Sequence, residues 1–297
     1  MKLAIVQTKP RKGAFAENLA ALGEAFAQLA AEERPYELVV LPEAALTGYF
    51  LEGAVYESAR SAESFAGELA ALWRTHGEGP LDMVCGFYEN AGGTYYNSAL
   101  YLRIEAQRHE IVHLHRKLFL PTYGVFDEQR FLSRGRRLGV FATPFGRAAL
   151  LICEDAWHGI TATLAAIKGA RLLIVPSASP GRGLGPGEQL ESVRNWRRTL
   201  EGYALEHGVF VIYAGLAGFE GGKGMTGSSC AIDPQGRVLV EAPALGACIV
   251  RADLDLAEIE IARARLPLLG DLQAVLPDLL LDRELLPYLD LHAERGA

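Results

Sequence analysis

The sequence predicts an α/β protein with mixed rather than purely parallel sheets. Short β-branched runs alternate with longer Ala-, Leu- and Glu-rich stretches through the first two-thirds of the chain. The last third instead holds closely spaced strand runs joined by hairpin signals. A hydrophobic share of 50% and a charged share of 22% over 297 residues suit an ordinary globular chain with a substantial core.

Taken in order, the apolar runs place strands at 2–8, 38–42, 82–89, 95–103, 147–153, 171–176 and 209–215. Apolar residues recurring at three- and four-residue spacing place helices at 14–31, 61–75, 157–169 and 187–207. Strands near 228–233, 237–241 and 247–252 follow, the first two joined by the turn Asp233-Pro234-Gln235-Gly236. No linker, composition break or repeat divides the chain, so a single domain over 1–297 is expected. The glycine-rich stretch 179–187 follows a strand and precedes a helix, yet it matches neither GxGxxG nor GxxxxGK[ST]. It reads as a mobile loop at the rim of a pocket, since ligands of α/β folds bind at strand C-termini. The loop 217–227 carries no strand signal and is a second candidate for the pocket wall.

Composition narrows the partners. A formal net charge of -7 argues against nucleic acid or an anionic membrane surface, either of which favours a basic face. The start of the chain has too short an apolar run for a signal peptide, and no apolar stretch reaches the ~18 residues of a membrane span. A cytoplasmic location is the default expectation. Cys85, Cys153, Cys230 and Cys248 form no CxxC pair and have no histidine at metal-ligand spacing, so no structural zinc site is expected. Cys85, Cys230 and Cys248 sit inside apolar runs and read as core packing. No G-x-S-x-G elbow is present, which disfavours a Ser-His-Asp hydrolase.

Three residues carry candidate chemistry. Cys153 follows the apolar run Ala149-Leu150-Leu151-Ile152 where acidic and helix-forming residues begin, the setting of a nucleophile at a strand-to-helix turn. A thiol with an ordinary pKa of about 8.5 needs a base, a cation or a helix N-terminus to attack. Glu43 ends the apolar run Leu38-Val39-Val40-Leu41-Pro42, and in a closed pocket its pKa would rise toward that of a usable general base. Lys117 is one of only six lysines among 29 basic residues and stands beside Leu118-Phe119-Leu120, where a compact ammonium could hold an oxyanion. Each has a plainer reading: an inert core cysteine, a capping or solvated glutamate, a surface lysine lying along apolar neighbours. Residues 121–131 add aromatics and a second glutamate, Glu128, that turn chemistry alone does not explain.

Jointly these segments resemble the carbon-nitrogen hydrolase family, or nitrilase superfamily. Leu41-Pro42-Glu43, Arg116-Lys117-Leu118 leading to Leu120-Pro121, and Ile152-Cys153-Glu154-Asp155 match its three motif blocks in order. Glu128, in Phe126-Asp127-Glu128-Gln129-Arg130, falls where the family has an additional glutamate. Ala252-Asp253-Leu254-Asp255-Leu256, with Ile259 and Arg263, looks like its closing pattern.

The resemblance implies a four-layer α-β-β-α sandwich, usually dimeric, that hydrolyses a non-peptide C–N bond with a Glu-Lys-Cys triad and neither metal nor organic cofactor. Cys153-Glu154-Asp155 differs from the Cys-Trp-Glu of true nitrilases, so a primary carboxamide is expected ahead of a nitrile. Tyr123 through Glu128, with Pro176-Ser177-Ala178-Ser179-Pro180, is similar to the glutaminase domain of glutamine-dependent NAD synthetase. Tyr123, Glu154 and Ser177 are therefore candidate substrate-binding residues. A glutaminase subunit feeding a separate synthetase and an N-carbamoyl hydrolase are the alternatives, followed by a nitrilase or a silent homologue. The leucine-rich segment 264–297 is expected to pack as a C-terminal extension or to contribute to a homodimer contact.

Overall fold

The computed structural model describes residues 1–183 and 190–284. The chain runs through β1 (Lys2–Gln7), α1 (Phe15–Ala30), β2 (Leu38–Val40), the single-turn α2 (Val55–Ser58), α3 (Ala62–Arg74), β3 (Leu81–Ala91), β4 (Thr94–Ile104) and β5 (His109–Arg116). Then follow the short α4 (Glu128–Phe131), β6 (Phe141–Thr143), β7 (Gly146–Leu150), α5 (Gly159–Ile167), β8 (Leu172–Ser177), α6 (Glu191–His207), β9 (Phe210–Gly215), β10 (Ala217–Glu220) and β11 (Lys223–Thr226). The chain continues through β12 (Cys230–Ile232), β13 (Val238–Glu241), β14 (Cys248–Asp253), α7 (Glu258–Arg265) and α8 (Leu268–Leu280).

Two six-stranded sheets result, in the orders β14-β1-β2-β3-β4-β5 and β13-β12-β9-β8-β7-β6. Each is mixed in the same way: β1, β2 and β3 run parallel, as do β7, β8 and β9, and antiparallel strands extend both flanks. Because side chains alternate along a strand, Leu3, Ile5, Leu38, Val40, Val84, Ala99 and Tyr101 face the second sheet and share one core with Leu150, Ile174 and Ile212. Their neighbours Ala4, Val6, Val39, Leu41, Met83, Cys85, Leu100 and Leu102 turn outward and bury Leu22, Phe26, Phe65 and Leu69 of α1 and α3. On the other side Ala162, Ala165, Trp196 and Leu200 of α5 and α6 join the core of the second sheet. Burial of both faces explains why the central strands read as unbroken apolar runs rather than alternating ones. The layers are helix, sheet, sheet, helix.

Some boundaries differ from those read in the sequence. The strand expected at 147–153 ends at Leu150, and β2 stops before Pro42, which has no N–H for the ladder. The helix expected at 157–169 begins at Gly159 after a 3-10 turn over Cys153–Trp157. β5 was concealed by its edge position, which leaves His109 and Glu110 exposed and blurs the apolar pattern. The supposed loop 217–227 is the hairpin β10–β11, its two-residue turn made by Gly221 and Gly222, both at positive φ. Part of the glycine-rich stretch (184–187), the beginning of the expected helix 187–207 and residues 285–297 of the C-terminal extension lie outside the described residues. No helix among the described residues is long and apolar enough to cross a membrane.

Candidate active site

Glu43 lies three residues beyond β2, where the backbone passes so close to β3 that a side chain at Gly86 would meet Glu43 Cα at 2.5 Å. Ala44 then adopts φ 50°, and the tight turn that follows buries the Glu43 carboxylate completely. Glu43 Oε1 accepts from Lys117 Nζ at 2.8 Å and from Asn97 Nδ2 at 2.6 Å, while Oε2 accepts from the Ala178 N–H at 2.7 Å. Lys117 follows β5, is fully buried, and donates equally to Glu128 Oε1 at 2.8 Å. Asn97 completes the ring by donating to Glu128 Oε1 at 3.0 Å.

The charges set one another. Burial and the neighbouring Glu128 carboxylate raise the Glu43 pKa, while Lys117 opposes the rise. Burial disfavours the Lys117 ammonium, but Glu128 and Glu43 outweigh it and hold the pKa well above the usual lysine value. Among two carboxylates and one ammonium the net charge is negative, so an added proton has a favourable place to rest.

Cys153 occupies the first position of the 3-10 turn with φ 44°, in the left-handed region that a non-glycine residue adopts at a cost of roughly 1–3 kcal/mol. Asp155 imposes that shape. Its Oδ2 accepts from the Ile152 N–H at 3.1 Å and contacts His115 Nε2 at 2.8 Å, and its Oδ1 accepts from the Leu118 and Phe119 N–H groups at 2.9 and 3.0 Å. One buried carboxylate thus ties the cysteine turn to the segment carrying Lys117. Burial and the Glu43 charge push the Cys153 thiol up, and Lys117 only partly counters them. A thiol raised in this way needs a base beside it to attack, and Glu43 is the carboxylate that faces it.

Cys153 reaches the surface at the floor of a cleft of about 260 Å³ with Tyr123, Phe126, Glu154, Trp157 and Arg182 among its walls. The Tyr123 hydroxyl donates to both Glu154 oxygens at 3.1 and 3.0 Å. The structure therefore brings together Glu43, Lys117, Glu128 and Cys153, and sets Tyr123 and Glu154 in the cleft beside them. Ser177 is not among the cleft walls: at the end of β8 it is fully buried behind them, close enough to Cys153 to bear on its thiol, and its hydroxyl has no other hydrogen-bond partner among the described residues. Among the other cysteines, Cys85 and Cys230 are buried as expected, but Cys248 is only partly so. It sits where β14 borders a second cavity, of about 290 Å³, lined also by Lys9 and Glu24.

Sequence reading missed Asn97 and Asp155. A fully buried asparagine within the apolar strand Tyr96–Leu102 was the available signal for the first, and an aspartate two residues after the cysteine for the second. No group of three or more His, Cys, Asp or Glu side chains among the described residues is placed to hold a metal ion.

Comparison with known proteins identifies the family. Residues 2–264 match the family model described as carbon-nitrogen hydrolase. The chain is 30% identical over 260 residues to a glutamine-dependent NAD(+) synthetase of Rhodobacter capsulatus, covering 86% of this chain and 43% of that protein. The chain thus spans less than half the length of that relative. It is 28% identical over 245 residues to a 2-oxoglutaramate amidase of Bacillus subtilis, covering 82% of this chain and 87% of the relative. Among solved structures, a carbon-nitrogen hydrolase from Helicobacter pylori G27 superposes with a TM-score of 0.82 at 25% identity, over 95% of this chain and 99% of that one.

Proposed function

The chain belongs to the carbon-nitrogen hydrolase family, and from that premise we propose that it hydrolyses a primary carboxamide on a small polar acyl group to ammonia and the acid, through a thioester on Cys153. The observation that carries the reading is the Glu43–Lys117–Glu128 cluster, with one ammonium held at 2.8 Å from each carboxylate, beside a thiol at the floor of a cleft.

The chemistry follows from the charges. As Cys153 Sγ attacks the amide carbon, Glu43 takes the thiol proton, because a carboxylate with a raised pKa is a competent base near neutrality. The carbonyl π electrons move to oxygen, and the Lys117 ammonium stabilises the oxyanion. Collapse of the tetrahedral intermediate breaks the C–N bond, and Glu43 returns its proton to the leaving nitrogen, releasing ammonia. Water then attacks the thioester while Glu43 accepts its proton. The C–S bond breaks, the acid leaves, and the proton restores the thiol. Glu128 keeps Lys117 charged and in place throughout.

The polar cleft supports an acyl group with a second charged end. Arg182 lines the cleft with its guanidinium 4.7 Å from the Phe126 ring and 5.6 Å from the Tyr123 ring, within reach of a substrate carboxylate there. The two relatives named for glutamine and 2-oxoglutaramate favour an amide of this type, and glutamine cleavage to supply ammonia is the second reading. The test is mass spectrometry of enzyme quenched during turnover, together with ammonia detection over glutamine, 2-oxoglutaramate, carbamoyl amino acids and nitriles. Acyl mass on the Cys153 peptide with ammonia from an amide is expected. Ammonia from nitriles alone, or amide turnover that survives loss of Cys153, overturns the proposal.

A further inference from the structure

Away from the cleft, the segment after α4 crosses the end of β5 and opens a groove of about 470 Å³ lined by Tyr96, Leu114, Arg116, Arg134, Gly135, Arg136 and Arg137. Four of the lining residues are arginines, on a chain whose net charge is -7. Arg116 is already engaged: it pairs with both Glu89 oxygens at 2.8 and 2.6 Å and stacks on Tyr96 at 4.0 Å. Arg134, Arg136 and Arg137 are exposed and make no ion pair with any described residue.

The backbone beneath them is fixed. The Ser133 N–H donates to the Tyr95 carbonyl at 2.8 Å and the Gly135 N–H to the Lys117 carbonyl at 2.7 Å. Gly135 is required for that approach, since a Cβ there would stand 2.0 Å from the Arg116 carbonyl oxygen. The three free arginines therefore project from a seated strap. An arrangement that concentrates three uncompensated cations around a concave wall lowers stability by mutual repulsion unless an anion neutralises them.

We propose that this groove is a binding site for a small phosphorylated metabolite carrying adjacent phosphate groups. Guanidinium forks match phosphate oxygens bidentately, and two or three of them answer a diphosphate better than a single carboxylate. The volume suits a ligand of small-molecule size. An extended nucleic acid would meet the acidic remainder of the surface instead of a continuous basic track. The site is separate from the Cys153 cleft, and the seated strap joins it directly to the backbone of Lys117.

The experiment is calorimetric titration of the full chain with inorganic pyrophosphate, ADP and adenosine at roughly 50 mM salt, where surface electrostatics are least screened. Pyrophosphate and ADP should bind with Kd below about 1 mM, whereas adenosine should not bind. The triple variant R134A/R136A/R137A should lose at least about tenfold in affinity while keeping wild-type ammonia release from amides. A second variant, R134K/R136K/R137K, keeps the charge and removes the fork, and should bind pyrophosphate more weakly than wild type. Absence of pyrophosphate and ADP binding, or binding unchanged in the triple alanine variant, overturns the proposal. So does binding of an acidic peptide in place of pyrophosphate, or a fall in particle mass of the variant showing that a second copy covers the groove.

Discussion

Asp155, two residues beyond Cys153, accepts the backbone N–H of Leu118, the residue that follows Lys117, at 2.9 Å. The same carboxylate accepts from Phe119 and Ile152 and contacts His115, so the position of the ammonium relative to the thiol is set by one buried side chain. D155A leaves three backbone donors without their acceptor. Each orphaned donor costs about 1–3 kcal/mol, so a loss of several kcal/mol is expected in denaturant unfolding. D155N keeps one acceptor oxygen and should lower kcat more than it raises KM, because it displaces Lys117 without touching substrate.

The Glu43, Lys117 and Cys153 side chains should behave as one unit. E43Q, K117A and C153A are each expected to lower kcat by at least ~10²-fold, the contribution of a general base or oxyanion donor. Steady-state kinetics of the double variants should show them scarcely worse than the singles. Retention of a tenth of wild-type kcat by any one of them contradicts the assignment.

The pH profile should have its acidic limb above the usual carboxylate range. Glu43 must be ionised to accept a proton, and its pKa is raised, so activity is present above that raised value and is lost as pH falls through it. Lys117 is held above its ordinary pKa and should impose no loss on the alkaline side up to about pH 10. In a kcat/KM profile, E128Q should shift the acidic limb down, because it removes a neighbouring charge that raises the Glu43 pKa.

Alkylation should separate the cysteines by mechanism rather than by exposure alone. Chloroacetamide, which fits the cleft as an amide, should label Cys153 first in the wild type, and E43Q should slow that labelling because the thiol is otherwise held protonated. Cys248, partly exposed on β14 with its thiol raised by burial, should react slowly and independently of Glu43. Cys85 and Cys230 should stay unmodified until unfolding. Peptide mapping reads all four.

The exposed face of α8, with Leu268, Val275, Leu279 and Leu280, leads to Leu281 at 70% exposure, and α8 packs beside α5, where Ile160 and Leu164 are also exposed. Apolar surface of that extent on neighbouring helices marks a protein contact. Light scattering should give a closed oligomer of the 32.2 kDa chain, a dimer at least. L279D/L281D should shift it toward monomer, and a monomeric wild type at micromolar concentration contradicts this.

The sequence by itself determined the mixed α/β class and most strand positions, because each follows a local apolar pattern, whereas Glu43, Lys117, Glu128 and Cys153 were singled out by the resemblance of their motif blocks to a known family. Only the tertiary structure decided which side chains those residues meet. Asn97 stands 54 residues from Glu43 and 31 from Glu128, and Asp155 stands 37 from Leu118. Periodicity reports which face of an element is apolar, but not which distant element will lie against it. The hairpin β10–β11 stayed hidden because short strands rich in glycine leave no periodic signal, and a serine at a strand end does not show by pattern alone that it will lie, like Ser177, buried beside the Cys153 thiol. The raised thiol of Cys153 belongs to the same category. The sequence places the cysteine 36 residues from the lysine, whereas burial and the facing Glu43 carboxylate, which only the packed sheets create, push the thiol up.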